Sequence, residues 1–272
     1  MTTIVIEPGR AAREYWRDLW RYRELLYYLA WRDIAVRYKQ TAIGVAWALI
    51  RPALTLLVFV GFRRMAGLSA DGAIPDPLLV FAAVMPWQFF ATGFSEAASS
   101  LVSNASLITK VYFPRLIIPC AAVATSLADF AVTLGLLALL LVWYGFAPDW
   151  RIAVLPLFVL LAFGCAFGAG LVFAVLNVEY RDFRYVIPFI VQFGLFVSPV
   201  AFATANVPAA WRPFYILNPM VGVIDGFRWS LLGGRTPLSL DALAASVAVT
   251  AVMLVAGIWY FRRMERRFAD VI

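Results

Sequence analysis

From residue 43 onward the sequence is organised by long apolar runs, each closed off by a short polar or charged segment. Six stand out: 43–62, 78–101, 116–144, 152–176, 186–203 and 238–261. A helix needs about 20 consecutive apolar residues to cross the hydrocarbon of a bilayer. By that measure 186–203 is only just long enough, and the first run carries Arg51-Pro52, a charge and a helix breaker in apolar surroundings. The intervening loops are an acidic Gly/Pro-rich stretch (67–77), a polar stretch (103–115), a short turn (145–151) and the charged stretch 177–185. Residues 206–235 are apolar but interrupted by Pro208, Pro213, Pro219, Gly222, Asp225 and Gly226. Neither half reaches spanning length, so the pattern predicts two short helices that enter one leaflet and return. Irregular backbone at that depth survives only under cover of protein or in a wet cavity.

Residues 10–39 have a different rhythm. Trp16, Trp20, Tyr27, Trp31, Ile34 and Tyr38 recur at helical steps, with Arg13, Arg17, Arg21 and Glu24 between them. An amphipathic helix with a basic face is expected to lie in the membrane interface instead of crossing it. No repeat of 20–50 residues is visible. The predicted fold class is therefore an all-α integral membrane protein, divided into an N-terminal segment with an interface helix (1–39) and one six-span transmembrane domain (40–272).

Composition agrees: 63% of the 272 residues are hydrophobic and 14% charged, against about 45–50% and 25% in soluble domains. The N-terminus does not read as a secretory signal, because an Arg-rich stretch follows it. Histidine is absent, which removes the commonest general base and zinc ligand. Cys120 and Cys165 sit in apolar runs and read as small core residues, so no metal site is expected. Neither lysine, Lys39 nor Lys110, follows a glycine, so a phosphate-cradling Gly-Lys-Ser/Thr loop is lacking. If ATP drives this chain, another subunit binds it. The sequence offers nothing expected to engage nucleic acid.

Orientation follows from arginine and lysine. With the N-terminus inside, sixteen basic residues fall on inner segments and six on outer ones. That asymmetry predicts both termini in the cytoplasm, with Arg63-Arg64 the awkward outer pair.

Carboxylates in or near the apolar runs are Glu96, Asp129 and Asp225. Each is a candidate functional group by position, but they lie on three separate segments and form no catalytic constellation. Asp129 is expected to bond Ser126 or Thr133, its neighbours at helical spacing. Asn104-Ala105-Ser106 matches a glycosylation sequon but falls on the inner side. Most aromatics sit where headgroup-level rings belong. Phe89, Phe90, Phe193 and Phe196 are candidates for a sugar pathway, since flat rings suit carbohydrate faces. The inner loops 106–113 and 179–185 have the size of elements on which an ATPase could push, although each is also simply a solvated loop.

Five groups of sequence blocks stand out beyond their hydropathy. They are Trp31-Arg32-Asp33-Ile34 with Arg37-Tyr38-Lys39-Gln40-Thr41 and Gly44-Val45-Ala46-Trp47-Ala48; Met85-Pro86-Trp87-Gln88-Phe89-Phe90; Asn104 through Lys110-Val111-Tyr112-Phe113-Pro114-Arg115; Asn177 with Tyr180-Arg181-Asp182-Phe183-Arg184-Tyr185; and Leu217-Asn218-Pro219-Met220 with Gly226-Phe227-Arg228-Trp229. In their order, and over nearly the whole chain, these blocks resemble those of ABC-2 type polysaccharide permeases, the likeness being strongest to O-antigen export permeases, with capsule and teichoic-acid export permeases as near relatives. The resemblance implies a bacterial inner-membrane homodimer, each subunit paired with a cytoplasmic ABC ATPase that holds the ATP and Mg, in a 2:2 complex exporting a lipid-linked polysaccharide. It implies an interface helix over 13–39 (Arg13, Trp16, Arg17, Trp31, Arg32) and ATPase coupling by Asn104, Lys110, Tyr112, Arg115, Glu179, Arg181, Asp182 and Arg184. It implies a periplasmic gate at 206–235, including Trp211, Asn218, Pro219, Asp225, Arg228 and Trp229, and a channel lined by the first and fifth spans. Arg51 departs from the pattern, in which a neutral residue usually precedes the proline; it either contacts the carrier's pyrophosphate or snorkels to inner headgroups. An ABC exporter of another cargo, an ion-coupled transporter and a membrane-embedded transferase are the competing readings.

Overall fold

The computed structural model describes residues 12–39, 44–67, 74–265 and 268, apart from the side chains of 12–14, 44, 45 and 48. Every regular element among these is helical. The N-terminal segment holds α1 (Ala12–Arg21) and α2 (Arg23–Lys39). The pattern predicted one continuous helix here, but the chain turns at Tyr22 although neither glycine nor proline stands there. Tyr22 packs against the core with Leu19, Leu25 and Leu26, so tertiary burial overrides local propensity.

Then come α3 (Gly44–Met65), α4 (Asp76–Ser103), α5 (Ala105–Lys110), α6 (Ile117–Trp143), α7 (Leu155–Glu179, entered through a 3-10 turn), α8 (Phe183–Val197), α9 (Arg212–Tyr215), α10 (Pro219–Leu231) and α11 (Leu240–Met264). Proline at the first turn, where an N–H is unpaired anyway, starts α4, α9 and α10. Asn218 caps α10 by accepting the Met220 N–H at 3.0 Å.

The hub is α4, whose 28 residues extend roughly 42 Å at 1.5 Å per residue. It packs chiefly on α6 and α7, α7 packs on α11, and α10 lies against α11, α4 and α7. Helices α7 and α11 approach backbone to backbone at Gly168 and Gly257. A Cβ on Gly168 would stand 2.9 Å from the Leu254 nitrogen, and one on Gly257 would stand 2.6 Å from the Gly168 carbonyl oxygen. Small residues at such a crossing substitute close van der Waals contact for the hydrophobic drive that lipid does not supply.

Four helical stretches are long and apolar enough to cross a membrane: α4, α6, residues 150–179 and α11. The first expected run became α3, whose 22 residues include Arg51, Arg63 and Arg64. The fifth, expected over 186–203, became the 15-residue α8, which starts at Phe183 and stops before Ser198-Pro199. Residues 198–200 are buried without helical structure, because proline supplies no N–H to continue a helix. Large side chains stay exposed along α6 (Leu139, Val142, Trp143) and α11 (Val247, Val252, Val255, Trp259). So much contiguous apolar surface marks a chain whose solvent is lipid.

Candidate functional site: two polar ends of a helical bundle

Because α4 runs the length of the bundle, its termini define two ends. At its C-terminus, Asn104 bonds back to the Ser100 carbonyl through Nδ2 at 2.9 Å and accepts Arg32 Nη2 at 2.9 Å. That contact ties α2 to the α4–α5 junction. Beyond it, Ile108, Phe113 and Pro114 are buried while Lys110, Val111 and Tyr112 point outward. The short α5 is thus seated by its apolar side with its charged side open. Next to it, α7 continues to Glu179 and α8 begins at Phe183, which reduces the expected loop to a tight turn. Glu179, Tyr180, Arg181, Asp182, Arg184 and Tyr185 are all exposed on it. The turn is held from within: buried Asn177 donates through Nδ2 to the Ala98 carbonyl at 3.1 Å.

Arg115 is not an outward-facing group. Its N–H donates to Glu265 Oε1 at 2.9 Å, its guanidinium bonds the Glu265 carbonyl, and Tyr15 approaches the same carboxylate at 3.4 Å. Arg115 therefore latches α1 and the end of α11 to the start of α6. Burial pushes the Glu265 carboxyl above its usual range, and the bonds from Arg115 and Tyr15 hold it back.

A second anchor was not foreseen. Arg37 on α2 donates to Asp129 Oδ2 and Glu96 Oε1, both at 2.6 Å, so one guanidinium joins α6 to α4. The Tyr38 hydroxyl donates to the other Asp129 oxygen. Burial first, and that carboxylate second, push the Tyr38 phenol up to about 12. Asp129 does not pair with Ser126 or Thr133 as expected: Ser126 donates to Val123, and Thr133 to the Asp129 and Phe130 main-chain carbonyls. Helical back-bonding satisfies both hydroxyls and leaves the carboxylate to α2. The cluster borders a cleft of about 330 Å³, also lined by Arg51, Gln88 and Phe89.

The interface-helix aromatics Trp16, Trp20, Tyr27 and Trp31 point away from the bundle, as does Arg17, while Tyr15, Leu19 and Leu29 pack inward. Arg13 lies in α1, with its side chain outside the described set. Of the proposed channel aromatics, Phe89 and Phe90 are core residues, packed on Phe130 at 5.2 Å and on Phe94 at 5.8 Å between ring centroids. Phe193 and Phe196 on α8 are 58% and 64% exposed. The first pair lies on α4, which is buried on most sides, and the second on a helix covered on one side only.

At the opposite end the charges turn inward. Arg228, 2% exposed, donates to the carbonyls of Leu79 (3.2 Å), Phe202 (3.1 Å) and Val200 (3.0 Å). It thereby supplies hydrogen bonds to the irregular backbone after α8. Arg63, the awkward outer arginine, is buried too, bonding Asp76 at 3.2 Å and the Ala201 carbonyl at 3.0 Å. Asp225 accepts from Thr204 at 2.9 Å, and Asn218 donates to Ser198 at 3.0 Å. Arg151 bonds the Gly233 carbonyl and stacks against Trp229. Trp211 is exposed and Pro219 opens α10. Segments 198–206 and 219–231 are thus clamped together by buried polar pairs.

A helical bundle with several helices long and apolar enough to cross a bilayer, and with so much exposed apolar surface, defines a multi-pass membrane protein. The sequence pattern of the ABC-2 type transporter family matches residues 24–232, and the chain belongs to that family. It is 29% identical over 259 residues to the O-antigen export system permease protein RfbA of Myxococcus xanthus, covering 94% of this chain and 98% of that protein. A protein of the same name from Klebsiella pneumoniae is 24% identical, covering 92% and 95%. The polysialic acid transport protein KpsM of Escherichia coli is 25% identical, covering 86% and 91%.

Proposed function

We propose that this chain is the membrane-spanning permease of an ATP-driven exporter that moves a lipid-linked polysaccharide from the cytoplasm to the periplasm. The observation that carries the reading is end-to-end similarity to relatives named for O-antigen export and polysialic acid transport. In this reading two copies pair side by side in the bacterial inner membrane, each with six crossings: the four long helices plus α3 and α8. Both termini lie in the cytoplasm, and α9 and α10 re-enter from the periplasmic side. Two copies of a separate ABC ATPase bind ATP and Mg and grip α5 and the turn 179–185, whose exposed charges suit a soluble partner. The chain itself performs no covalent chemistry.

Motion at α5 passes to α2 through Asn104–Arg32, and from α2 to α4 and α6 through Arg37. The exposed faces of α3 and α8, with Phe193 and Phe196, line the passage at the dimer axis. Arg51, at the mouth of the Arg37 cleft, meets the pyrophosphate of the lipid carrier. An ion-coupled mechanism is disfavoured because the Arg37 guanidinium already pairs with both Glu96 and Asp129.

The test is co-expression with candidate ABC ATPases of the same genome, together with deletion of this gene. A stable 2:2 complex with ATPase activity in lipid, and polymer that accumulates inside the deleted cells, is the expected result. A chain that purifies alone and drives sodium- or proton-dependent uptake overturns the reading.

A further inference from the structure

A pocket of about 500 Å³ opens at the end opposite α5, between α10, the start of α11 and the 3-10 turn at Thr204. Its floor is Asp225, 6% exposed. One carboxylate oxygen accepts from Thr204, while the other, Oδ2, is buried and has no partner. The Thr236 hydroxyl in the same pocket is likewise buried and unpartnered. At the rim, Arg212 bonds Asp241 at 3.1 Å and Ser239 at 3.3 Å. A buried carboxylate oxygen without a donor costs free energy, and that cost is recovered when a ligand supplies an O–H.

Charge balance narrows the ligand. The lining holds two carboxylates, Asp225 and Asp241, and two guanidinium groups, Arg212 and Arg228. A metal ion would face both arginines, and a phosphate both aspartates. A neutral polyhydroxyl compound meets donors and acceptors at once: O–H groups for Asp225 and Asp241, and N–H and O–H groups from Arg212, Ser239 and Thr236. The volume lies within the about 300–1,000 Å³ of small-ligand sites. Leu79 and Leu238 supply apolar wall for the C–H face of a sugar ring.

We propose that this pocket is a carbohydrate subsite that holds one or two neutral sugar residues on the outer side of the membrane. It rests on the export reading, and within that reading each subunit has a place to receive the polymer as it emerges, so that backward slippage is opposed between strokes.

The experiment titrates the permease–ATPase complex in nanodiscs with methyl glycosides of mannose, galactose and rhamnose, read by saturation-transfer NMR. At least one is expected to bind in the millimolar range. Asp225→Asn and Thr236→Val should each weaken it at least tenfold, and Leu139→Ala, on the exposed side of α6, should leave it unchanged. Thr236→Val keeps the test decisive if Asp225→Asn impairs folding. Absence of binding by all three sugars, or binding indifferent to both pocket substitutions, overturns the subsite. Neither result touches the export reading, whose own readout is polymer accumulation on gene deletion. Conversely, normal surface polymer in deleted cells refutes export while leaving a measured sugar affinity intact.

Discussion

At the end formed by α9 and α10, Arg228 and Arg63 are withdrawn from solvent and bond main-chain carbonyls, whereas at the α5 end Lys110, Arg181 and Arg184 stand fully outside. The same side-chain chemistry does opposite work. A buried guanidinium has five donors to place, and Arg228 and Arg63 place theirs on the carbonyls of Leu79, Val200, Phe202 and Ala201 and on the Asp76 carboxylate. Near residues 198–203 helix has been given up, so arginine replaces the missing hydrogen bonds there. At α5 the backbone satisfies itself, and charge is left over for an encounter with something else. An arginine count treats both sets alike; their surroundings separate structural cations from available ones.

The sharpest way to break this comparison is Arg228→Ala. Three main-chain carbonyls lose their donor together, and we expect a loss of about 3–5 kcal/mol, seen as a large drop in melting temperature in detergent and in yield. Retention of wild-type stability would mean that Arg228 is surface-like after all. Next comes Arg37→Ala, which frees Glu96 and Asp129. The three side chains keep between 26% and 43% exposure, so the expected cost is smaller, about 1–2 kcal/mol. Tyr38 stays bonded to Asp129, and the double variant with Asp129→Asn should show strong non-additivity.

Charge reversal at Glu179, Arg181 and Asp182 together should change stability by less than about 0.5 kcal/mol while it abolishes ATPase co-purification. If the melting temperature falls as far as for Arg228→Ala, the turn is structural and the contrast between the ends collapses. The smallest effect is expected at Arg64, the exposed neighbour of Arg63: Arg64→Gln should leave both stability and assembly unchanged.

Much of this organisation was legible because burial in lipid demands long apolar runs, which cannot hide. Helices α4, α6, α7 and α11 lie within a few residues of the runs that predict them. The charged side chains of the turn 179–185 and Lys110 are exposed, as hydrated charge without a buried partner should be. What stayed illegible were the pairs. Arg37 is 59 residues from Glu96 and 92 from Asp129, and nothing local in any of these segments announces the other two. Asp129 even had plausible hydroxyl neighbours at helical spacing, which the helix backbone had already claimed. Phe89 and Phe90 are pathway candidates because flat rings suit sugar faces, and ring chemistry does not show which neighbours cover a ring. The break at Tyr22 has no local cause at all; only the packing of α1 and α2 on the bundle produces it.

Helix α8 has a consequence for the membrane around the protein. Fifteen residues span roughly 22 Å, while hydrocarbon is about 30 Å thick. In the six-crossing arrangement proposed above, lipids beside α8 shorten or tilt to meet it, at a cost of a fraction of a kcal/mol per Å of mismatch. The bilayer in that arrangement is dimpled around the ends of α8, beside the passage that Phe193 and Phe196 line. A thinned annulus lowers the barrier for a polar headgroup to dip toward the midplane. Turnover in bilayers of graded acyl-chain length should therefore fall as the chains lengthen, and a flat response would show that α8 never meets lipid.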